Sequence, residues 1–287
     1  MTDAVTVDAV AAGDHVCLTF SDPDERLDIV AEFVAEGLGC NHKVLCYTHS
    51  LTPQRLSDEL TWRGVAVPPA VRSGQLDVTD GGQLWAPGGP ATAAAMVEAL
   101  AGEIEQAAGQ GYAGLRMTAD MCWATRPSAT VPELRAFEEA AAGLCADGRF
   151  TAVCQYDRDG FDPVTLAFAA EAHPKTVAAL AYHDDAVLRI CRQHRPPGVR
   201  ISGELDYTRL EPLRQALTEA LRLDTDIHVD MSRARFVDVT AATMIAKTAL
   251  SLPADRHLIV TCGPAVAETF RLVGAGEAGQ FRMQPSR

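Results

Sequence analysis

Two groups of residues in this chain have the types and spacing for chemistry. The first is His15 and Cys17, two apart in the alternating stretch His15-Val16-Cys17-Leu18-Thr19-Phe20. At a period of two both project to one face of a strand, where Cys154 on a neighbouring strand can join them. An imidazole beside thiols suits a metal, a covalent adduct or a thiol redox centre. Two or three soft ligands without an identified fourth fall short of a closed structural zinc site, so no metal is assigned. Nothing in the sequence lowers a thiol pKa, which sets redox sensing behind the other readings. A pocket for a small organic ligand, with His15 and Tyr156 as polar handles and Trp123 as a wall, stands against ordinary packed core.

The second group is Asp238-Val239-Thr240, after the extended Ala234-Arg235-Phe236-Val237 and before an apolar run from Ala241 to Leu250 whose only charge is Lys247. This is a strand, a tight turn and a helix start with Asp238 at the N-cap. Backbone N–H groups and the positive dipole end gather there, so a phosphate on a nearby hydroxyl would be stabilised and would change the surface a partner meets. The plainer reading is an ordinary capped helix.

The elements that position these residues follow from periodicity. After a small-residue lead-in, strands are expected at 15–20, 43–48, 75–78, 114–119 and 150–157, with helices from 25, 52, 91, 131 and 163 between and after them. Pro68-Pro69 follows the second helix, and Asp80 to Pro90 is a Gly- and Pro-rich loop. Such β-α-β alternation signals a parallel sheet with helices on its faces. Its C-terminal edge, where ligands bind in open α/β sheets, would gather Phe20, Tyr47, Thr48, Asp120, Trp123, Tyr156 and Asp157. The expected ligand-binding set is therefore His15, Cys17, Tyr47, Asp120, Trp123, Cys154 and Tyr156.

A hairpin follows at 186–203, then a helix from Leu210 to Leu221, a buried strand Ile227-His228-Val229-Asp230-Met231, the Asp238 turn with its helix, a strand at 257–261 and a helix from Pro264 to Gly274. The segments are assigned as 8–174 for a first domain, 175–183 for a linker, 184–276 for a second domain and 277–287 for a tail.

With 287 residues and 47% hydrophobic composition the chain can bury two cores. No apolar run approaches the ~18 residues of a spanning helix, and the first residues lack a secretory signal, so a cytoplasmic protein is expected. The eight cysteines show no Cys-x-x-Cys and no finger spacing, which points to reduced core thiols. Residues 1–181 hold 25 acids and 11 bases within a formal net charge of −13. That balance repels nucleic acid and anionic membrane, and there is no basic stripe to offset it.

In the first domain, Gly13-Asp14-His15-Val16-Cys17 with Phe20, Lys43 to Thr48, Gly111 to Arg116, Trp123-Ala124 and Cys154-Gln155-Tyr156-Asp157 resemble the MEDS sensory domain of methanogen and methylotroph regulators, over about residues 8–174. The resemblance implies a RecA/KaiC-like parallel-sheet α/β fold and an unknown small organic ligand. ATP is not expected: the loop Phe20 to Arg26 has no glycine and carries three carboxylates, the opposite of a phosphate cradle. In the second domain, Gly203-Glu204-Leu205-Asp206, Val229-Asp230-Met231-Ser232, Phe236-Val237-Asp238 and Phe270 to Gly274 resemble the STAS domain of anti-sigma-factor antagonists, a smaller α/β fold with a mixed sheet. That resemblance implies an anti-sigma factor or serine kinase as partner, with the turn after Asp238 as the docking and phosphorylation point. The family pattern there is Asp-Ser-Ser-Gly. Here Val239 occupies the usual acceptor position without a hydroxyl, Thr240 matches the second serine, and Ala241 replaces the glycine.

The expected function is a non-enzymatic signalling regulator in which a ligand sensor controls a STAS interaction domain. A constitutive scaffold is the alternative that Val239 favours, and homo-oligomerisation stays open. The one catalytic set on offer is His15, Cys17 and Asp120 as nucleophile, base and orienter on the first sheet's edge.

Overall fold

The computed structural model describes residues 3–81, 92–125 and 130–286 and divides into two compact units, 1–178 and 179–287. Most of the loop expected at 80–90 lies outside the described residues.

The first unit is built on strands β1 (Asp3–Val5), β2 (His15–Phe20), β3 (Lys43–Thr48), β4 (Leu76–Asp80), β5 (Leu115–Asp120), β6 (Phe150–Asp157) and β7 (Lys175–Val177). They form one sheet in the order β1-β7-β2-β6-β5-β3-β4, with every pairing parallel. Among the described residues six helices accompany it: α1 (Pro23–Gly39), α2 (Pro53–Trp62), α3 (Val67–Arg72), α4 (Ala93–Gly109), α5 (Val131–Cys145) and α6 (Pro163–Ala172). The expected parallel α/β architecture is present. β5 is buried at every position and β6 at all but its last, as a parallel sheet covered on both faces requires.

Strand alternation sorts the side chains. Cys17, Leu45, Tyr47, Met117, Ala119, Cys154 and Tyr156 share one core cluster with Leu100 of α4 and Phe137 of α5. The residues between them turn the other way. Arg116 reaches Glu36 on α1 at 2.8 Å, and Gln155 accepts from Arg26 on the same helix at 2.5 Å.

The second unit holds β8 (Ala181–Asp184), β9 (Leu188–Gln193), β10 (Gly198–Leu205), β11 (Ile227–Met231), β12 (Ala234–Val237), β13 (Leu258–Cys262) and β14 (Phe281–Pro285). Helices α7 (Leu210–Leu223), α8 (Val239–Leu250) and α9 (Pro264–Leu272) complete it. The sheet runs β14-β13-β11-β10-β9-β8 with β12 also on β10. β8, β9 and β10 are antiparallel neighbours and the other pairs are parallel, which makes the sheet mixed. β11 and β13 alternate buried and half-buried residues, and α7 buries Leu213, Ala216, Leu217 and Ala220 at helical spacing.

Three stretches differ from expectation. Residues 175–183, assigned to a linker, contain β7 and β8. The lead-in contains β1, and the tail contains β14. All are short or edge strands; β1 and β7 are made by pairing with distant chain, Asp3 to Val5 beside Lys175 to Val177, and tertiary pairing of that kind leaves no periodicity to find, while β8 is the short outer arm of a hairpin with β9. Pro68-Pro69 lies in the first turn of α3, where proline is tolerated.

Gly203 shows why the glycine of its motif is required. Its φ of 100° lies in the left-handed region, and a Cβ there would run into the Val187 carbonyl. β10 shifts register against β12 at this point. Gly203→Ala is expected to cost the second unit about 2–4 kcal/mol, through strain and a backbone clash, without unfolding the first. Hydrogen exchange in the full chain checks this, with protection lost in residues 188–284 and kept in 15–157.

Candidate functional site

On the α4 and α5 face of the first sheet, five polar side chains converge where apolar packing is otherwise continuous. β2 supplies His15, and β6 supplies Cys154 and Tyr156; the register sets His15 opposite Ala152, two residues before Cys154 on the same face. α5 supplies Glu138, in its buried stripe with Leu134, Phe137 and Ala141. His173 follows directly from the end of α6.

Glu138 is the hub, and it is fully buried. Its Oε2 lies 3.1 Å from His15 Nε2, 3.4 Å from His173 Nε2 and 3.5 Å from Cys154 Sγ. Cys154 Sγ is also 3.5 Å from His15 Nε2. The Tyr156 hydroxyl donates to Glu138 Oε1, and His173 Nδ1 lies 2.6 Å from the Ala169 carbonyl oxygen, to which it donates. Burial alone would raise the Glu138 carboxyl, but His173 and His15 outweigh it and hold the group as a carboxylate. Burial lowers His15, whereas at His173 the charge of Glu138 overcomes burial and raises the imidazole. Burial and the Glu138 charge push the Cys154 thiol and the Tyr156 phenol well up. Two imidazoles, a thiol and a carboxylate are also a set that can hold a metal ion.

Cys17 is buried in the same core, its thiol pushed up to about 12 by burial first and Glu138 second. Tyr47 is buried in that core cluster, and Trp123 lies edge-on to Phe137 with centroids 6.4 Å apart. Among the described residues both pack into this core.

Asp120 is on the other face. Its Oδ2 accepts from Arg26 Nη2 at 2.9 Å, from the Ser50 amide at 2.8 Å and from the Ser50 hydroxyl at 2.5 Å. Gln155 Oε1 accepts from Arg26 Nε, and Gln155 Nε2 donates to Thr118 at 2.6 Å. Burial works against the Asp120 carboxylate, but Arg26 and the Ser50 donors leave it well below the usual carboxylate range. Strand period therefore separates Asp120 from His15 and Cys17, and the nucleophile, base and orienter set does not assemble. Ser50 also lines an open cavity of about 500 Å³ at the C-terminal edge, walled by residues 49–53 and 78–80.

The start of α1 is occupied by its own chain: Asp22 Oδ1 accepts from the amides of Asp24 at 2.8 Å and Glu25 at 3.3 Å. In the second unit Asp238 Oδ1 accepts from the Ala241 amide and Oδ2 from the Tyr207 amide, each at 2.7 Å. This fastens the start of α8 to the loop after β10. Val237 points inward, while Tyr207, Phe236 and Val239 are exposed at 68%, 50% and 59%, and Thr240 is exposed beside them.

Sequence reasoning missed Glu138, His173, Arg26, Ser50 and Gln155. The legible signal was a charge on an apolar stripe: Glu138 four residues after Leu134, and Arg26 three, four and seven before Ile29, Val30 and Phe33. A charge so placed must be paired.

Fold and geometry define a two-unit α/β protein, a parallel-sheet unit with a buried polar centre followed by a mixed-sheet unit that presents a capped, apolar turn. Family comparison matches residues 14–174 to the MEthanogen/methylotroph, DcmR Sensory domain, MEDS, and residues 188–284 to the Mlab, STAS domain. The chain belongs to the MEDS family and carries a STAS domain after its sensory domain. Similar solved structures include the flagellar accessory protein FlaH from Methanocaldococcus jannaschii, at 10% identity and TM-score 0.45, covering 64% of this chain and 79% of that one. A KaiC-like protein from Pyrococcus horikoshii OT3 is similar at 12% identity and TM-score 0.44, over 67% of this chain and 79% of that one. Comparison with curated protein sequences finds no significant match.

Asp120→Asn is expected to destabilise the first unit by about 3 kcal/mol, because Arg26 would be left buried with its charge unpaired. All three tryptophans lie in that unit, so denaturation followed by tryptophan fluorescence reads the loss. With the folded carboxyl depressed, the pair's contribution in the unmodified chain is present above pH of about 4 and is lost as pH falls below it.

Proposed function

We propose that this protein is a cytoplasmic signalling regulator, without enzymatic activity of its own, in which the MEDS domain senses a small ligand and controls the STAS domain's availability to a partner. The partner is an anti-sigma factor or a serine kinase of a partner-switching system, so the regulated output is transcription. The observation that carries this reading is the turn at Asp238. Both carboxylate oxygens are spent on holding α8 against the Tyr207 loop, and the apolar side chains of Tyr207, Phe236 and Val239 stand exposed around it. A rigid apolar knob of this kind suits a protein partner. No described helix is long and apolar enough to cross a membrane.

A non-enzymatic role is supported by the separation of Asp120 from His15 and Cys17 on opposite sheet faces. The capping of α1 by Asp22 supports a ligand other than ATP, because the amides that would meet a phosphate are already engaged. The cavity beside Ser50 is the candidate entrance for the sensed molecule.

Val239 favours a second reading, a constitutive scaffold, since the residue after the aspartate has no hydroxyl to phosphorylate. Titration of candidate anti-sigma kinases from the host separates the two. For the switch, Thr240→Glu lowers partner affinity at least tenfold by placing a charge on the docking surface, with the melting temperature unchanged within about 2 °C. The constitutive scaffold predicts that the partner binds and the kinase phosphorylates neither the native chain nor Val239→Ser. If no candidate partner binds and Thr240→Glu changes nothing, the interaction reading fails.

A further inference from the structure

We propose that His15, Glu138, Cys154 and His173 form a closed tetrahedral site for a zinc-class divalent transition metal that fastens the first unit's sheet to α5 and α6. The four candidate ligand atoms all lie within 4.8 Å of one another. The individual edges are 3.1 Å, 3.4 Å, 3.5 Å and 3.5 Å for His15 to Glu138, His173 to Glu138, Cys154 to Glu138 and Cys154 to His15. A tetrahedron with metal to nitrogen or oxygen distances of about 2.0–2.1 Å and metal to sulfur of about 2.3 Å has edges of about 3.3–3.6 Å. Four of the six edges already have nearly those dimensions, and the other two lie within 4.8 Å.

The hydrogen-bond pattern points the same way. His173 Nδ1–H donates to the Ala169 carbonyl, which orients the ring with Nε2 toward Glu138 and leaves that nitrogen as the one to ligate a metal. That nitrogen is buried, has no hydrogen-bond partner, and stands 3.4 Å from a carboxylate oxygen. Either a proton or a metal ion between this nitrogen and the carboxylate oxygen satisfies the pair, so a metal that binds here takes a proton's place. The outer contacts are those of a metal centre: a carbonyl orients His173, and the Tyr156 hydroxyl holds the second oxygen of Glu138, leaving Oε2 for the ion.

Charge closes the argument. Two neutral imidazoles, one thiolate and one carboxylate sum to −2, and a divalent cation makes a neutral unit in a place without water. Binding ionises the thiol, and its proton leaves to solvent. A nitrogen, sulfur and carboxylate set disfavours Mg²⁺ and Ca²⁺, which take oxygen ligands. Four protein ligands on rigid elements leave no open position, so the site is structural rather than catalytic.

The test uses the full chain, refolded with Zn²⁺ or with Co²⁺ and freed of excess metal. Zn²⁺ is expected at about one ion per chain by elemental analysis, raising the melting temperature by more than about 5 °C over the metal-free chain, with Mg²⁺ without effect. The Co²⁺ form is expected to show intense visible bands of tetrahedral cobalt and a thiolate charge-transfer band. Cys154→Ser should lose the charge-transfer band, and Cys262→Ser, in the second unit, should keep it. Retention of less than about a tenth of an ion per chain, a cobalt spectrum without thiolate character, or the same spectrum in Cys154→Ser overturns the proposal. If Cys154→Ser does not fold, the zinc stoichiometry and cobalt spectrum of the unmodified chain decide alone.

Discussion

A carboxylate with no access to water, Glu138, constrains the first unit more than any other single group. An uncompensated charge at that depth is untenable, so groups from separate elements must meet it. His15 comes from β2, Cys154 and Tyr156 from β6, and His173 from the end of α6. Meeting one point fixes the height of α5 over the sheet and the place where α6 must stop. Pro174 and β7 then follow directly, and β7 enters the sheet beside β2. The position of a topologically important strand is thus tied to the placement of one imidazole.

The opposite face solves a similar problem with different chemistry. Arg26 is buried there, and Asp120, Gln155 and Ser50 share its guanidinium in a planar fan of donors and acceptors. Because side chains alternate along β5 and β6, the two polar centres occupy neighbouring residues yet stay on separate sides of the sheet. Cys154, Gln155 and Tyr156 make this visible within three positions. One centre is sealed in a core, and the other borders an open cavity at the sheet's edge.

Much of this was legible in sequence. The 3.6 and 2.0 periods located most helices and strands of both units, and the ordered motifs indicated the MEDS and STAS domains that family comparison matches. What the sequence hid were the short edge strands and the partners of buried charges. β1 and β7 are three residues each, and only their pairing makes them strands. His15, Cys17 and Asp120 looked like one edge constellation because chain position along a strand says how far a residue lies toward the edge more readily than which face it joins. Glu138 was passed over inside an Ala-rich helix, though its place in the apolar stripe was the clue. Val239 and Thr240 were legible as a departure from the family pattern, and their exposure shows that the departure lies on the surface.

The aspartate at the head of α1 acts as a tethered ligand. Asp22 Oδ1 sits on the two amides that a free anion would seek, and it is attached to them by two or three residues of chain. An intramolecular group of this kind has an effective concentration far above that of any dissolved metabolite, of millimolar order or more for a short tether. An anion approaching this helix must therefore displace a competitor that never diffuses away, and it must do so beside Asp24 and Glu25. The edge thus discriminates by charge before shape matters, and neutral or cationic molecules face no such competition.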